Sequence, residues 1–180
     1  LEIGMPVNAS SRQCNRTGLM MAVDKGHGAI VRMLLEAKAD PDIQDDKGNT
    51  SLMWAARKGN EAMVMVLLKA GADPDIQNGD DDTALMLAVK GGRVNVLETL
   101  LEAKADTNKK SSMFVNRLRS WGETIIRGSG STALMWAVGK GDGVMVRMLL
   151  EAKADPDIRD RYGATALMEA EEEEDEDMVT

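Results

Sequence analysis

The stretch TSLMWAA, residues 50–56, and the stretch LLKAGADPDIQN, residues 67–78, decide the fold because close copies of both recur along the chain. The first motif returns every 33 residues, beginning at Thr17, Thr50 and Thr83, and again from Thr132 to Thr165. The step from Thr83 to Thr132 is 49 residues, which is one period plus a 16-residue insertion. A fixed period of this length predicts a stacked array of small supersecondary units.

Each unit is predicted to contain a tight turn, a short helix, a longer helix and a loop. A residue type that tolerates left-handed backbone stands two positions before each Thr, and the Thr hydroxyl can cap the first helix. The second helix carries apolar residues at helical spacing, such as Val64, Leu67 and Leu68. Glycines in register predict the end of the first helix, at Gly26, Gly59, Gly92 and Gly141.

Composition limits the compartment that we expect for this chain of 180 residues. Its single cysteine, Cys14, excludes an internal disulfide framework and favours a reducing environment. No apolar run is long enough to span a bilayer, and the first ten residues lack the features of a signal peptide. We therefore expect an intracellular, cytoplasmic protein, or one inside an organelle if a leader precedes Leu1.

The net charge of −8 is distributed unevenly along the sequence. Residues 169–180 contain eight acidic residues and no basic one, and the rest of the chain has 22 acidic and 22 basic residues. Residues 107–130 contain five basic residues and one acidic residue, a net charge of +4. Nucleic-acid binding would require a continuous basic face, so we predict no nucleic-acid partner.

Candidate chemical groups do not form a catalytic or metal-binding set. His27 is the only histidine, no nucleophile or base can be assigned to it, and Cys14 has no basic cluster nearby. The acidic stretch that begins at Asp73 fails as a calcium loop because its sixth position is Asn78 and its twelfth is Ala84. We interpret its recurring aspartates as solvated loop residues, and predict no catalytic activity, cofactor or tightly bound metal.

The repeated motifs resemble the ankyrin repeat, whose unit is about 33 residues with a T-P-L-H-x-A signature. The match is carried by residues 50–55, Gly59, Leu67-Leu68 and residues 71–73, and it recurs in register. This resemblance implies an all-α solenoid of helix-turn-helix units joined by β-turn loops, with four repeats and a terminal half-repeat. The predicted organisation is an N-terminal extension (1–12), the array (13–170) with repeats at 13–45, 46–78, 79–108 and 131–160, an insertion (109–130), a half-repeat (161–170) and an acidic tail (171–180).

The chain departs from the family pattern at two positions of the unit. The signature histidine is methionine in every copy, and we expect this methionine row to pack, at Met20, Met53, Met86, Met135 and Met168. Lysine replaces the glycine after the second helix at Lys38, Lys104 and Lys153. Because left-handed backbone costs such a residue on the order of 1 kcal/mol, we expect these three helix ends to adopt another geometry.

The insertion has two interpretations that the sequence leaves open. A helix over residues 114–126 would place Phe114, Leu118, Trp121 and Ile125 on one apolar stripe. This stripe either folds back onto the array or serves as a docking element for a partner. Trp54 and Trp136 share one position of the first helix, where we expect partial burial in the core.

The resemblance implies a non-catalytic module or scaffold that binds another protein through its turn tips and inner helices, without spanning a membrane. One alternative is an accessory subunit of a larger, possibly organellar, assembly, and another is a regulatory array cut from a longer multidomain chain. The predicted contact residues vary between units or lie in the insertion: Asp46, Lys47, Asn49, Arg57, Lys58, Asp80, Asp82, Lys90, Phe114, Arg117, Trp121, Lys140, Arg161 and Tyr162.

Overall fold

A computed structural model of the protein describes residues 6–11, 14–112, 115–118, 124–127 and 130–170. These residues form a helical solenoid of four repeats and a half-repeat, as the sequence predicts. The paired helices are α1 (Gly18–Asp24) with α2 (Gly28–Glu36), α3 (Ser51–Lys58) with α4 (Glu61–Lys69), α5 (Ala84–Lys90) with α6 (Val94–Glu102), and α7 (Ala133–Val138) with α8 (Gly143–Glu151). Residues 166–170 are also helical and form the half-repeat.

The first helix of each repeat begins at a threonine cap. In all five copies the threonine Oγ1 accepts the backbone N–H of the methionine three residues later, at 3.2 to 3.4 Å. Asn60 and Asp142 cap the second helices α4 and α8, and the side chain of each accepts a backbone N–H at 3.1 Å. Each cap satisfies a helix donor that would otherwise lack a partner.

The predicted glycine stops are confirmed. Gly26, Gly59, Gly92 and Gly141 have φ between 66° and 74°, so each ends its helix in the left-handed conformation. In the turn loops, Gly48 also has a positive φ, and a Cβ there would lie 2.7 Å from the backbone nitrogen of Gly79. Glycine at this position therefore lets neighbouring turn loops approach each other closely.

The core is a continuous layer between the stacked helices. The first helices pack on one another in the order α1, α3, α5, α7, and α4, α6 and α8 stack beside them. Four methionines of the methionine row are buried, as predicted, with exposures of 2 % or less. Met168 is 43 % exposed, so the prediction is wrong for the half-repeat, where no described second helix covers this residue.

The three lysines after the second helices adopt the left-handed conformation, so the expected alternative geometry is wrong. Lys38, Lys104 and Lys153 have φ of 66°, 61° and 68°. Two backbone hydrogen bonds fix each helix end: the N–H of Lys104 reaches Leu101 O at 2.9 Å, and the N–H of Ala105 reaches Leu100 O at 3.1 Å. These bonds and the burial of Ala105, which is 6 % exposed, offset the backbone strain of the lysine.

The insertion contains strands, and the helix expected over residues 114–126 is wrong. Strands β1 (Val115–Leu118) and β2 (Thr124–Arg127) pair antiparallel, with Val115 opposite Arg127 and Leu118 opposite Thr124. The β-branched residues of both segments favour extended backbone, and Gly122 between them disfavours a continuous helix. The described part of the array, whose other elements are helices, therefore carries a two-stranded ribbon between its third and fourth repeats.

Candidate partner-binding surface

The turn loops are joined in series by long polar side chains. Gln44 Nε2 donates to Gly48 O within its own loop at 2.7 Å and to Gln77 O of the next loop at 3.0 Å. Gln77 repeats both bonds, to Asp81 O at 2.7 Å and to Lys110 O at 2.9 Å. Successive loops are therefore held at a fixed spacing along one edge of the array.

A second ladder uses the aspartates that the sequence analysis interpreted as solvated loop residues. Asp42 Oδ1 accepts the N–H of Asp73 of the next repeat at 3.0 Å, and burial raises the pKa of Asp42. The same bond recurs from the next two repeats, with Asp75 as acceptor at 2.7 Å and Asn108 as acceptor at 2.9 Å. Sequence reasoning missed this ladder, although short Asp or Asn side chains at 33-residue spacing are its visible signal.

Five of the predicted contact residues lie exposed at the turn tips: Asp46, Lys47, Asp80, Arg161 and Tyr162. Backbone bonds align these tips, because Gly79 N donates to Lys47 O at 2.9 Å and Ser112 N donates to Asp80 O at 2.9 Å. Tyr162 is 58 % exposed, which leaves its ring available for contact.

Asn49 and Asp82 are buried, so they cannot be direct contact residues and this part of the prediction is corrected. The backbone N–H of Asn49 donates to Asp45 Oδ1 at 2.8 Å, and its Oδ1 accepts from Asn78 Nδ2 at 3.0 Å. Asp82 Oδ1 accepts from Ser111 Oγ at 2.6 Å and from Lys90 Nζ at 2.5 Å. Asn49 and Asp82 occupy the same position of successive repeats, and each makes buried hydrogen bonds to different partners.

We call the first helix of each repeat the inner helix, and Trp54 on the inner helix α3 lies at the centre of a cluster of charged side chains. Its indole Nε1 donates to Asp45 Oδ2 at 3.1 Å. The guanidinium carbons of Arg16 and Arg57 lie 4.2 Å and 4.7 Å from the ring centroid, within the range of a cation–π interaction. Trp54 packs partly buried against the core, as predicted, and two cations and a carboxylate surround it.

Asp24 connects this cluster to the neighbouring repeat. Its carboxylate lies 2.9 Å from Lys58 Nζ and 3.1 Å from Arg16 Nη2. The hydrogen bond from Lys58, with Arg16 beside it, holds the pKa of Asp24 below its usual range. Lys58 remains exposed and therefore available to a partner.

Trp136 occupies the equivalent position two repeats further along the array. Lys90 Nζ lies 4.3 Å from the centroid of its ring. Burial lowers the pKa of Lys90, although the Asp82 carboxylate opposes this shift. Trp136 Nε1 is buried and has no hydrogen-bond partner among the described residues. Asp45, which accepts from Trp54 in the second repeat, is replaced at the equivalent position by Ser111.

Basic residues lie at the C-terminal ends of α3 and α5 and just beyond the end of α7. Arg57 and Lys58 end α3, Lys90 ends α5, and Lys140 follows α7 with its Nζ donating to Lys90 O at 3.2 Å. We use the term inner surface for these four residues, the two tryptophans and the five exposed turn-tip residues. The inner surface thus combines two aromatic rings and cations on the helices with mixed charges at the tips.

The three predicted contact residues of the insertion are not placed on the inner surface. Phe114 and Trp121 lie outside the described residues, and Arg117 lies in β1 with its backbone opposite Ile125. The insertion joins the turn loops through the bridge between Ser111 and Ser131, next to Asp80. It therefore enters and leaves the array on the same edge as the turn tips.

Among the described residues, no group of three or more His, Cys, Asp and Glu side chains could hold a metal ion. None of the helices in the described ranges is long and apolar enough to cross a membrane.

Comparison with known proteins identifies the family. A family model described as ankyrin repeats in three copies matches residues 19–111 and residues 113–180. A stretch of 50 residues is 50 % identical to Protein HOS4 of Saccharomyces cerevisiae, and it covers 28 % of this chain and only 5 % of that protein. Ankyrin repeats are generally protein-interaction modules and typically non-catalytic. Because the family model covers nearly the whole repeated region, in register with the helix pairs, this chain belongs to the ankyrin repeat family.

Proposed function

We propose that this chain is a non-catalytic module that binds another protein through its inner surface. The observation that carries the proposal is Trp54, a partly buried ring on an inner helix with the guanidinium groups of Arg16 and Arg57 near it. Tryptophan and arginine are the residues most enriched among the energetically dominant contacts of protein interfaces. A preformed cluster of this kind loses little side-chain freedom when a partner binds.

Variation between repeats supports the same surface. The position of Trp54 holds Met21, Leu87 and Trp136 in other repeats. In contrast, the signature leucine and alanine, Leu52 and Ala55 in this repeat, are retained in every copy. A position that only filled the core would need similar shapes in every repeat, because the neighbouring helices pack alike. Side-chain diversity on a uniform scaffold is what selective recognition of one partner requires.

The insertion is proposed as an additional contact element on the same edge. It carries a net charge of +4 and includes Phe114, Arg117 and Trp121. Its attachment at Ser111 and Ser131 lies beside the turn tips, so one partner can touch both the ribbon and the tips.

The test compares two triple variants, one on the inner surface that removes two cations and the Trp54 ring, and one on the second helices that removes three cations. The inner variant is Trp54→Leu, Arg57→Gln and Lys140→Gln, in which leucine is the residue already present at the equivalent Leu87. The control variant removes three exposed cations from the second helices, Arg32→Gln, Lys69→Gln and Arg147→Gln. Partners are captured from the source organism with the unaltered chain, identified by mass spectrometry, and measured with each variant by calorimetry.

We expect the inner variant to weaken binding at least about tenfold, roughly 1.4 kcal/mol, and the control variant to bind like the unaltered chain. Thermal unfolding of both variants checks that the array remains folded. Equal binding by the inner variant, or an equal loss with the control variant, would refute the inner surface as the binding site.

A second candidate, a permanent subunit of a larger assembly, is favoured by apolar side chains at both ends of the array. Ile30 and Met33 in the first repeat are 47 % and 66 % exposed, and Leu167 in the half-repeat is 64 % exposed. Their equivalents in the middle of the array, such as Met63 and Leu134, are buried. Native mass spectrometry of the protein purified from its source distinguishes the candidates, because a permanent subunit is recovered only within the assembly.

A further inference from the structure

The two ends of the helix pairs carry opposite net charge. A short turn joins the first and second helix of each repeat, and we call the four turns with their flanking residues the basic edge. The basic edge consists of residues 24–28, 57–61, 90–94 and 139–143, and it contains six basic and three acidic residues. The second helices end at the opposite edge, which contains ten acidic and four basic residues in the segments 36–42, 69–75, 102–108 and 151–157. The helix pairs therefore separate a positive edge from a negative one.

Two of the three acids on the basic edge already have partners within the chain. Asp24 lies 2.9 Å from Lys58 Nζ, and Asp142 Oδ1 accepts the N–H of Met145 at 3.1 Å. In contrast, four exposed cations of this edge form no ion pair within the part of the chain that the structure describes: Lys25, Arg57, Arg93 and Lys140. The positive charge of the edge therefore faces solvent largely without a counter-charge.

Side chains reach from one repeat to the next along this edge. A Cβ on Gly59 would lie 2.8 Å from Arg93 Cδ, so Arg93 lies against the turn of the preceding repeat. Lys140 Nζ donates to Lys90 O of the preceding repeat at 3.2 Å. The cations of successive repeats therefore form one continuous surface.

Arg57 is the cation best prepared to bind a carboxylate. Its guanidinium carbon lies 4.7 Å from the centroid of the Trp54 ring. The planar fork of N–H donors in arginine fits a carboxylate, and it loses less freedom per hydrogen bond than the flexible chain of lysine. A carboxylate bound by Arg57 brings the chain that carries it next to the Trp54 ring, which belongs to the inner surface.

The spacing of the repeats favours an extended segment. The inner helices pack on one another in series, and packed helices lie about 8–10 Å apart. A polyproline-type chain advances about 9 Å in three residues and then presents the same face again. An acidic residue at every third position of such a chain would therefore meet the cations of one repeat after another.

A nucleic acid is the other polyanion that a basic edge attracts. Its phosphates continue along its whole length. The opposite edge of the array and the net charge of −8 would repel the phosphates that extend beyond the basic edge. An acidic protein segment can confine its carboxylates to the basic edge, so the charge distribution favours a protein segment.

We propose that the partner of the inner surface supplies an extended acidic segment that crosses the basic edge over Arg57, Lys58 and Lys140. Its carboxylates recur at about every third residue, in step with the repeats. This inference rests on the proposed function and adds the chemistry of the partner. The carboxylates relieve the repulsion between cations of successive repeats, and the attraction weakens as salt rises.

A nuclear magnetic resonance titration of the isotope-labelled full chain tests the proposal. The probe is a blocked peptide of about twelve residues, with glutamate at every third position and proline and alanine between. One control peptide has glutamine in place of glutamate, and another has the same composition with its glutamates consecutive. Backbone amides of residues 57–59 and 139–141 report on the basic edge, and those of residues 69–72 and 151–154 report on the opposite edge.

We expect the glutamate peptide to shift the amides of the basic edge at low salt. Its Kd should rise at least about fivefold in about 1 M salt, where the screening length is about 3 Å. The variant Arg57→Gln with Lys140→Gln should raise Kd at least about fivefold, whereas the matched variant Arg32→Gln with Lys69→Gln should change it less than about twofold.

Several results would overturn the proposal. They are no shift at the basic edge, larger shifts at the opposite edge, and equally tight binding by either control peptide. A single-stranded oligonucleotide of equal charge that bound the basic edge more tightly than the peptide would show that the edge selects nucleic acid instead.

The captured partner separates this inference from the proposed function. If the inner variant loses the partner but the glutamate peptide shifts no amide of the basic edge, the acidic segment is wrong and the proposed function stands. If the inner variant binds the partner like the unaltered chain, both are wrong.

Discussion

Three lysines keep a backbone conformation that costs roughly 1–2 kcal/mol in residues other than glycine. The equivalent residue in the second repeat is Gly71, whose φ of 91° is in the same left-handed region. The conformation is imposed by the hydrogen bonds at the helix end and by the buried alanine that follows each lysine. The position is therefore strained in three repeats and relaxed in one.

Replacing Lys104 by glycine is expected to stabilise the array by about 0.5–1 kcal/mol. The substitution removes backbone strain of roughly 1–2 kcal/mol from the folded state. Glycine also gives the unfolded chain more conformational freedom, which offsets about 0.4–1 kcal/mol of this stabilisation. Lys104→Ala is the control, because alanine loses the charge but keeps the strain. Urea unfolding measures both, and a glycine variant less stable than the alanine variant would show that the lysine is not strained.

At the residue scale, the sequence predicted those features in which a side chain acts on its own backbone. The threonine caps and the glycine stops are of this kind, and both were confirmed. The Asp42 ladder and the burial of Asn49 and Asp82 depend on an atom supplied by the next repeat. Such partners are about 30 residues away in sequence, so the pattern within one repeat did not indicate them.

Among the elements, the insertion is the one that interrupts the 33-residue period, and the interruption begins after Ser111. Ser111 N donates to Ser131 O at 2.9 Å, the bond that Asp45 makes to Asn49 O in an uninterrupted loop. In sequence, Ser111 followed directly by residues 128–131 would have the length of an uninterrupted turn loop. Strands β1 and β2 are additional to that loop.

Deleting residues 112–127 should restore an uninterrupted loop and leave a cooperatively folded array. We expect a loss of at most about 1–2 kcal/mol, the size of an ordinary substitution, by urea unfolding. Deleting residues 111–126 is the matched control, since it removes the same number of residues but also takes away the Ser111 hydroxyl bonded to buried Asp82. The control should be less stable by about 1–3 kcal/mol. Loss of cooperative unfolding in the first deletion would show that the ribbon is part of the core.

At the element scale, periodicity predicted the helices and failed for the insertion. A helix pair returns in every repeat, so its pattern is visible several times. The insertion occurs once, and its apolar spacing fitted a helix although Ile125, Ile126 and Val115 favour strands. The family resemblance suggested the surface that is proposed to bind a partner, whereas the grouping of Arg16, Trp54 and Arg57 required coordinates.

Across the whole molecule, the core residues are similar in every repeat, whereas the residues of the inner surface differ between repeats. Buried positions repeat the same few apolar residues, and the inner helices carry basic and aromatic side chains. The turn tips, with mixed charges, lie at the other end of those helices from Arg57, Lys58 and Lys90. Because the stack fixes the distances between repeats, a partner that spans several repeats meets all of these groups at once.

The most direct measurement of the central claim is hydroxyl-radical footprinting of the chain with and without its captured partner. Met21 on an inner helix is 43 % exposed and Met65 on a second helix is 39 % exposed, so the two thioethers have similar intrinsic access to the radical. We predict that the partner lowers oxidation of Met21, Trp54 and Tyr162 several-fold and leaves Met65 unchanged, since interface cores exclude water. Protection of Met65 with unchanged oxidation of Trp54 and Tyr162 would contradict binding through the inner surface.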